Sequence, residues 1–163
     1  MSFTVKNLLL AGLFLAFFLF ISGKMRTGLT FGEVVGFELM FSKNKAEKRV
    51  KEWQGETLPS GKTKLAAMEK NAHLDFFYII GYVFLGIFLA RVAAGESRVG
   101  TANTIGWLMV AAGLFDVVEN LQILQILKGN YGQRSMVMSV CASAKFLLLA
   151  VSLGWTALLF AKR

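Results

Sequence analysis

The sequence predicts an all-α fold, an integral membrane four-helix bundle, and three observations predict it. Hydrophobic residues make up 55% of the 163-residue chain and the mean hydropathy is +0.56, well above what soluble domains show. The apolar residues gather into four runs, each long enough to span about 30 Å of hydrocarbon. The charged residues lie at the ends of those runs and in one polar stretch of 47 residues, 24–70. The chain is read as a single membrane domain, 1–163.

The first span is placed at about 5–23, where Asn7 to Gly23 is uncharged. A cleaved signal peptide is the rival reading, with Lys6 as its basic start and Ser22-Gly23 as small residues at its end. The loop 24–70 holds ten Lys or Arg against six Glu. Within it, Asn44-Lys45-Ala46-Glu47 has the form of a capping box, after which Ala46, Val50 and Trp53 share one face until Gly55 stops the helix. A short amphipathic helix of this kind lies at the membrane interface or folds over the mouth of the bundle. Leu29 to Phe41 alternates too irregularly to assign, and Leu58-Pro59-Ser60-Gly61 is a turn.

The second span is placed at about 71–91 and carries Asp75, Tyr78 and Tyr82 at spacings of three and four, which makes a polar face. His73 sits beside that face, near the interface. The third span, about 103–127, contains Asp116, Glu119 and Asn120, which project together because helix positions i, i+3 and i+4 share a side; Gly113 lies one turn earlier on the same side. The fourth, about 135–160, opens with the small residues Ser139, Ala142 and Ser143 and holds Lys145 in its interior. Short connections at Ala93 to Gly100 and Lys128 to Arg134 make neighbouring spans antiparallel.

Depth ties these groups together. At 1.5 Å of rise per residue, Asp116 lies about 16 Å from the end of the third helix and Lys145 about 15 Å from the start of the fourth. Tyr82 lies about 16 Å, Tyr78 about 10 Å and Asp75 about 6 Å from the start of the second, on the same side. Asp75, Tyr78, Tyr82, Asp116, Glu119, Asn120, Ser139, Ser143 and Lys145 are therefore expected to form one ligand or proton cluster in one half of the membrane. Its mouth should face the long loop. Asp116 or Glu119 paired with Lys145 is the electrically economical arrangement, since carboxylates one turn apart repel.

Twelve Lys or Arg lie on the loop side of the spans against five on the other side. The positive-inside rule then puts the loop in the cytoplasm and both termini outside, although Lys6 argues for the reverse. The formal net charge of +8 is explained by topology and does not call for nucleic acid as a partner. One cysteine, Cys141, and one histidine, His73, exclude an intrachain disulfide, a structural zinc site and bis-histidine haem ligation within one copy. No metal or cofactor is expected, and no Glu-x-x-His pair suggests a di-metal bundle.

Leu74-Asp75-Phe76-Phe77-x-x-x-x-Tyr82 and Asp116-x-x-Glu119-Asn120-Leu121 resemble segments of a group of small, uncharacterised bacterial four-helix membrane proteins. The resemblance covers roughly 37–124 and implies four spans and a bacterial envelope location, for which the bacterial cytoplasmic membrane is the expectation; it brings no activity. Phe20-Ile21-Ser22-Gly23-Lys24-Met25 also looks like the end of the first helix in DoxX-type membrane proteins, but the later glycine-rich pattern of that group has no counterpart here.

Three functions fit these features. The first is a module that binds or transports a small amphiphilic ligand or a proton through the polar cluster. The second is a structural or accessory subunit, its cluster serving as inter-helix glue and its basic stretch 24–70 docking a protein partner or membrane lipid. The third is an intramembrane lipid- or isoprenoid-modifying enzyme, with Asp116 or Glu119 as acid or base and Lys145 or Tyr82 stabilising charge.

Overall fold

The computed structural model describes residues 2–162. Six α-helices follow one another: α1 Phe3–Lys24, α2 Phe31–Glu38, α3 Lys43–Gly55, α4 Lys64–Ala94, α5 Val99–Leu127 and α6 Arg134–Ala161. A single 3₁₀ turn, Glu96–Arg98, joins α4 to α5. Four helices are long and apolar enough to cross a membrane: α1, α4, α5 with the turn before it, and α6. They fall on the four apolar runs of the sequence. However, α4 begins at Lys64, ahead of the expected position 71, because Thr63 caps it by accepting the Ala66 amide at 3.2 Å.

The long helices do not form a symmetric bundle. α4, α5 and α6 pack on one another, whereas α1 lies along α4 and has no comparable contact with α5 or α6. Accordingly α1 buries only Asn7, Ala11 and Ile21. Its seam with α4 is aromatic: Phe14 stacks on Phe84 with ring centroids 4.8 Å apart, and Phe18 lies 4.5 Å from Tyr78. Gly81 makes this approach possible, since a Cβ there would come within 3.3 Å of the Phe18 Cα. On the other side of α4, Gly113 lets α5 close on Val83 and Ile79, where a Cβ would lie 2.8 Å and 3.2 Å from their methyl groups.

The stretch read as a loop with one short amphipathic helix holds two helices, a turn and the start of α4. Thr30 and Glu33 form the capping box of α2: the Glu33 amide donates to Thr30 Oγ1 at 3.2 Å, and the Thr30 amide to Glu33 Oε2 at 2.8 Å. The box expected at Asn44 does not form. α3 starts earlier, at Lys43, with Ser42 as an N-cap that makes no side-chain hydrogen bond, so Asn44 is already inside the helix. Nor does α3 turn its apolar face outwards to a membrane interface. Ala46, Val50 and Trp53 are 0%, 1% and 1% exposed and join Phe37 of α2, Met68 of α4, Ile123 and Ile126 of α5 and Met138 of α6 in one apolar core. Burying an aromatic side chain and its neighbours stabilises this lid by several kcal/mol, which an isolated helix of its length could not supply. The lid thus folds over the end of the bundle where α4 and α6 begin and α5 ends.

Glu33 fastens the lid a second time, through Lys64 Nζ at 2.6 Å from its Oε1; the same ammonium lies 2.6 Å from Glu56. The Lys64 ammonium and the Thr30 amide hold the Glu33 carboxyl at about 2, below its ordinary 4.5. Because the folded value is depressed, this tether is complete above about 4.5 and is lost as the pH falls towards about 2. The protection of the α2 amides, their exchange rate relative to that of the unstructured chain at the same pH, should hold from neutrality to pH 4.5 and fall below it. In a Glu33→Gln variant, that pH dependence should disappear. Packing gives a further expectation: Gly113→Ala should destabilise by about 1–3 kcal/mol, since Val83 and Ile79 are β-branched and stiff. Gly12→Ala, where nothing lies within 4 Å, should not destabilise when both are compared by thermal unfolding.

Candidate functional site

The polar residues of α5 come together as the helical spacing requires. Asp116, Glu119 and Asn120 are 3%, 0% and 3% exposed and face α4 and α6. From α6, Lys145 reaches the same point, with Nζ 3.0 Å from Asp116 Oδ1 and 2.8 Å from Glu119 Oε2. The contact with Asp116 is a hydrogen bond. That with Glu119 is an ion contact whose angles miss hydrogen-bond geometry, so neither Glu119 oxygen has a hydrogen-bond partner.

From α4, the Tyr82 hydroxyl donates to Asp116 Oδ2 at 2.9 Å. Asp75 accepts from Asn120 Nδ2, which also donates to the Asp116 carbonyl at 3.1 Å and to Asp116 Oδ1 at 3.3 Å. Asn120 is therefore the link between the two aspartates, and Asp116 is the centre of the network, held by a tyrosine, a lysine and an asparagine. Such a fully connected arrangement makes a buried carboxylate tolerable.

Two residues expected in the cluster take no direct part. Ser143 Oγ donates to the Ser139 carbonyl at 2.8 Å, which satisfies it within its own helix. Tyr78 stands beside the cluster, edge-on to Tyr82 at 5.9 Å and against Phe18. His73 is exposed on the far side of α4. Ser139 does contribute, through the backbone of the lid: its hydroxyl donates to the Glu38 carbonyl at 2.7 Å.

That bond brings in a residue which the sequence reading missed. Glu38, the last residue of α2, is 8% exposed and places Oε2 3.6 Å from Lys145 Nζ. Burial, with Asp116 nearby, pushes the Glu38 carboxyl above its ordinary range against the pull of Lys145. A signal was present in Phe37-Glu38-Leu39-Met40-Phe41, where a lone carboxylate sits between apolar residues in an otherwise solvated stretch. One ammonium thus serves three carboxylates, and a fourth, Asp75, is one asparagine away.

The cluster opens into a cavity of about 550 Å³, within the usual range for small-molecule sites. Glu38, Asp75, Asp116 and Lys145 line its polar part. Beyond them, Leu85 and Leu89 of α4 and Leu149 and Leu153 of α6 form apolar walls leading away from the lid. Phe18 and Ser22 of α1 close one flank, and Phe31, Val34 and Val35 of α2 roof it. Two other hollows, of about 380 and 370 Å³, lie on the charged face of α3 and beside Arg91 and Trp107, away from the cluster. Among the described residues, no three His, Cys, Asp or Glu side chains come together as a metal site.

Removing the shared ammonium should be severe. Lys145→Met should destabilise by about 3–5 kcal/mol at neutral pH, because it leaves buried carboxylates uncompensated. The double variant Lys145→Met, Asp116→Asn should recover part of that loss in unfolding measured in a neutral detergent. No family model, curated protein or solved structure matches this chain.

Proposed function

We propose that the protein is an integral membrane protein which binds a small amphiphile in this cavity. The observation that carries the proposal is the combination, in one cavity, of a buried polar end and apolar walls running about 12 Å beyond it, from Lys145 to Leu153 along α6. Apolar walls next to a buried polar end match the two ends of an amphiphile. The cavity lies over α4, between α1 and α6, where no helix packs across to close it. An occupant can therefore pass sideways from a bilayer, its tail never leaving an apolar environment.

Orientation follows the charge distribution. Twelve Lys or Arg on the lid side against five on the other favour the lid in the cytoplasm, with the polar end of the cavity in that half of the membrane. The lipid-modifying enzyme is less well supported. Carboxylates and a lysine are present, but Lys145 is taken up by ion pairs, and Ser22, the one Ser, Thr or Cys among the described residues lining the cavity, donates to the Phe18 carbonyl and not to a base.

Native mass spectrometry of protein purified in mild detergent tests the proposal. A small amphiphile should remain bound after delipidation or be taken up from an added lipid extract. Leu85→Trp, which fills the apolar part, should cut occupancy about tenfold while the fold is retained. An empty protein that takes up nothing, or undiminished occupancy in Leu85→Trp, would favour the accessory-subunit role and direct attention to partners of the lid.

A further inference from the structure

A second hollow, of about 370 Å³, lies between α4 and α5 at the end of the bundle away from the lid. Arg91 stands about 5 Å before the end of α4 and Asn103 about 6 Å after the start of α5. The two helices are antiparallel neighbours, so these side chains share one depth. Arg91, Asn103 and Trp107 all bring N–H groups to the hollow, and none of its lining residues is a carboxylate. Deeper in, the lining turns apolar, with Ile87 on α4 and Val110 on α5, the latter about 10 Å beyond Asn103. Ile87 meets Gly106, where a Cβ would lie 3.6 Å from its Cγ1, so the helices touch at the floor of the groove. Trp107 lines it while 73% exposed, and the groove is therefore open to the surroundings of the bundle.

Arg91 is uncommitted. Among the described residues it enters no ion pair, and neither does Glu96, the one acidic residue at this end against Lys6, Arg91, Arg98, Lys162 and Arg163. The side-chain hydrogen bonds nearby join Arg98 to the Lys162 carbonyl at 3.5 Å and Thr104 to the Gly100 carbonyl at 3.2 Å, without Arg91, Asn103 or Trp107. Lys145 is the opposite case, its ammonium taken up by three carboxylates within 3.6 Å. A guanidinium beside apolar walls and without a counter-ion in its own chain leaves its charge to be met from outside.

The complement of this groove is an anion carrying a hydrocarbon chain. Phosphate suits the guanidinium, whose fork offers parallel N–H groups to two oxygens. Basic pockets between membrane helices hold lipid head groups in this way. A zwitterionic head group would bring an ammonium beside Arg91 with no carboxylate to receive it. We infer that the hollow seats an anionic phospholipid, its phosphate on Arg91 and Asn103 and one acyl chain along Ile87 and Val110. The Trp107 indole, a side chain suited to the boundary of head group and hydrocarbon, flanks the glycerol level. The site rests on the membrane reading of the chain and is separate from the cavity under the lid, with which it shares no lining residue.

Native mass spectrometry of the full chain in a neutral detergent provides the test, with phosphatidylglycerol and phosphatidylcholine of the same acyl chains as probes. One phosphatidylglycerol should bind about tenfold more tightly than phosphatidylcholine. Arg91→Gln should remove that preference and Arg91→Lys should keep part of it. Arg98→Gln, which takes a charge from the same end outside the hollow, should leave it unchanged. Asn103→Leu, at an exposed position, should weaken it severalfold, and carries the test alone if Arg91→Gln does not fold. Leu85→Trp should have no effect on this binding, so failure here and failure of the amphiphile cavity are read separately. Equal binding of the two lipids would overturn the inference. Equal losses in Arg98→Gln and Arg91→Gln would reduce the preference to diffuse charge and overturn the built site. A preference unchanged in both Arg91→Gln and Asn103→Leu would overturn the placement of the phosphate. Displacement of the lipid by inorganic phosphate would overturn the part given to the apolar groove.

Discussion

Lys145 carries one positive charge into a place where carboxylates from three other helices converge, and the arrangement of the molecule's centre depends on it. Without that charge, α2, α4 and α5 would bring like charges together in a region stripped of water. Asp116 gains two further partners, Tyr82 and Asn120, while Glu119, fully buried, has the ammonium alone. The two neighbours on one helix turn are thus held in different ways: Asp116 is fixed by a network and Glu119 by a single ion contact.

The lid is organised by the same centre. Glu38 is at once the C-terminal residue of α2 and an ion partner of Lys145, and its carbonyl is tied to Ser139. Phe37, next in the chain, is fully buried against Trp53 of α3 at 5.0 Å between rings. Electrostatic and apolar anchoring of the lid therefore occupy adjacent residues. The capping box at Thr30 and the tether from Glu33 to Lys64 fix the other end of α2. A short helix that would be marginal alone is held at both ends by tertiary contacts.

The four long helices were legible because hydrocarbon length and helix periodicity leave a coarse mark in the composition. The meeting of Tyr82, Asp116 and Lys145 was legible for a different reason: rise per residue fixes depth along a helix whatever its rotation, and residues at one depth on packed antiparallel helices must be near one another. Rotation was less accessible. Lys145 lies off the Ser139 and Ser143 stripe, and its long stem, not the helix face, brings it to the carboxylates. Ser143 was expected to look inwards but bonds its own helix, an option every helical serine has. For α3, the face made by Ala46, Val50 and Trp53 was visible in the spacing, but its partner was not, since an apolar stripe suits a lipid surface and a protein surface equally well. Glu38 lay in eight residues of helix, too short for periodicity to emerge, and its helix exists because of what it packs against.

The seam of α1 has a consequence for how the fold can respond to its surroundings. Three helices are bound to each other on more than one side, while the fourth is held along a single edge by an aromatic zipper and the close seat at Gly81. Its separation would expose one face of α4 and leave the charged centre intact. α1 is thus a door jamb more than a pillar. The width of the cavity's flank is set by how Phe18 beds against α4, so a shift of this peripheral helix would reach the interior without passing through the ion pairs.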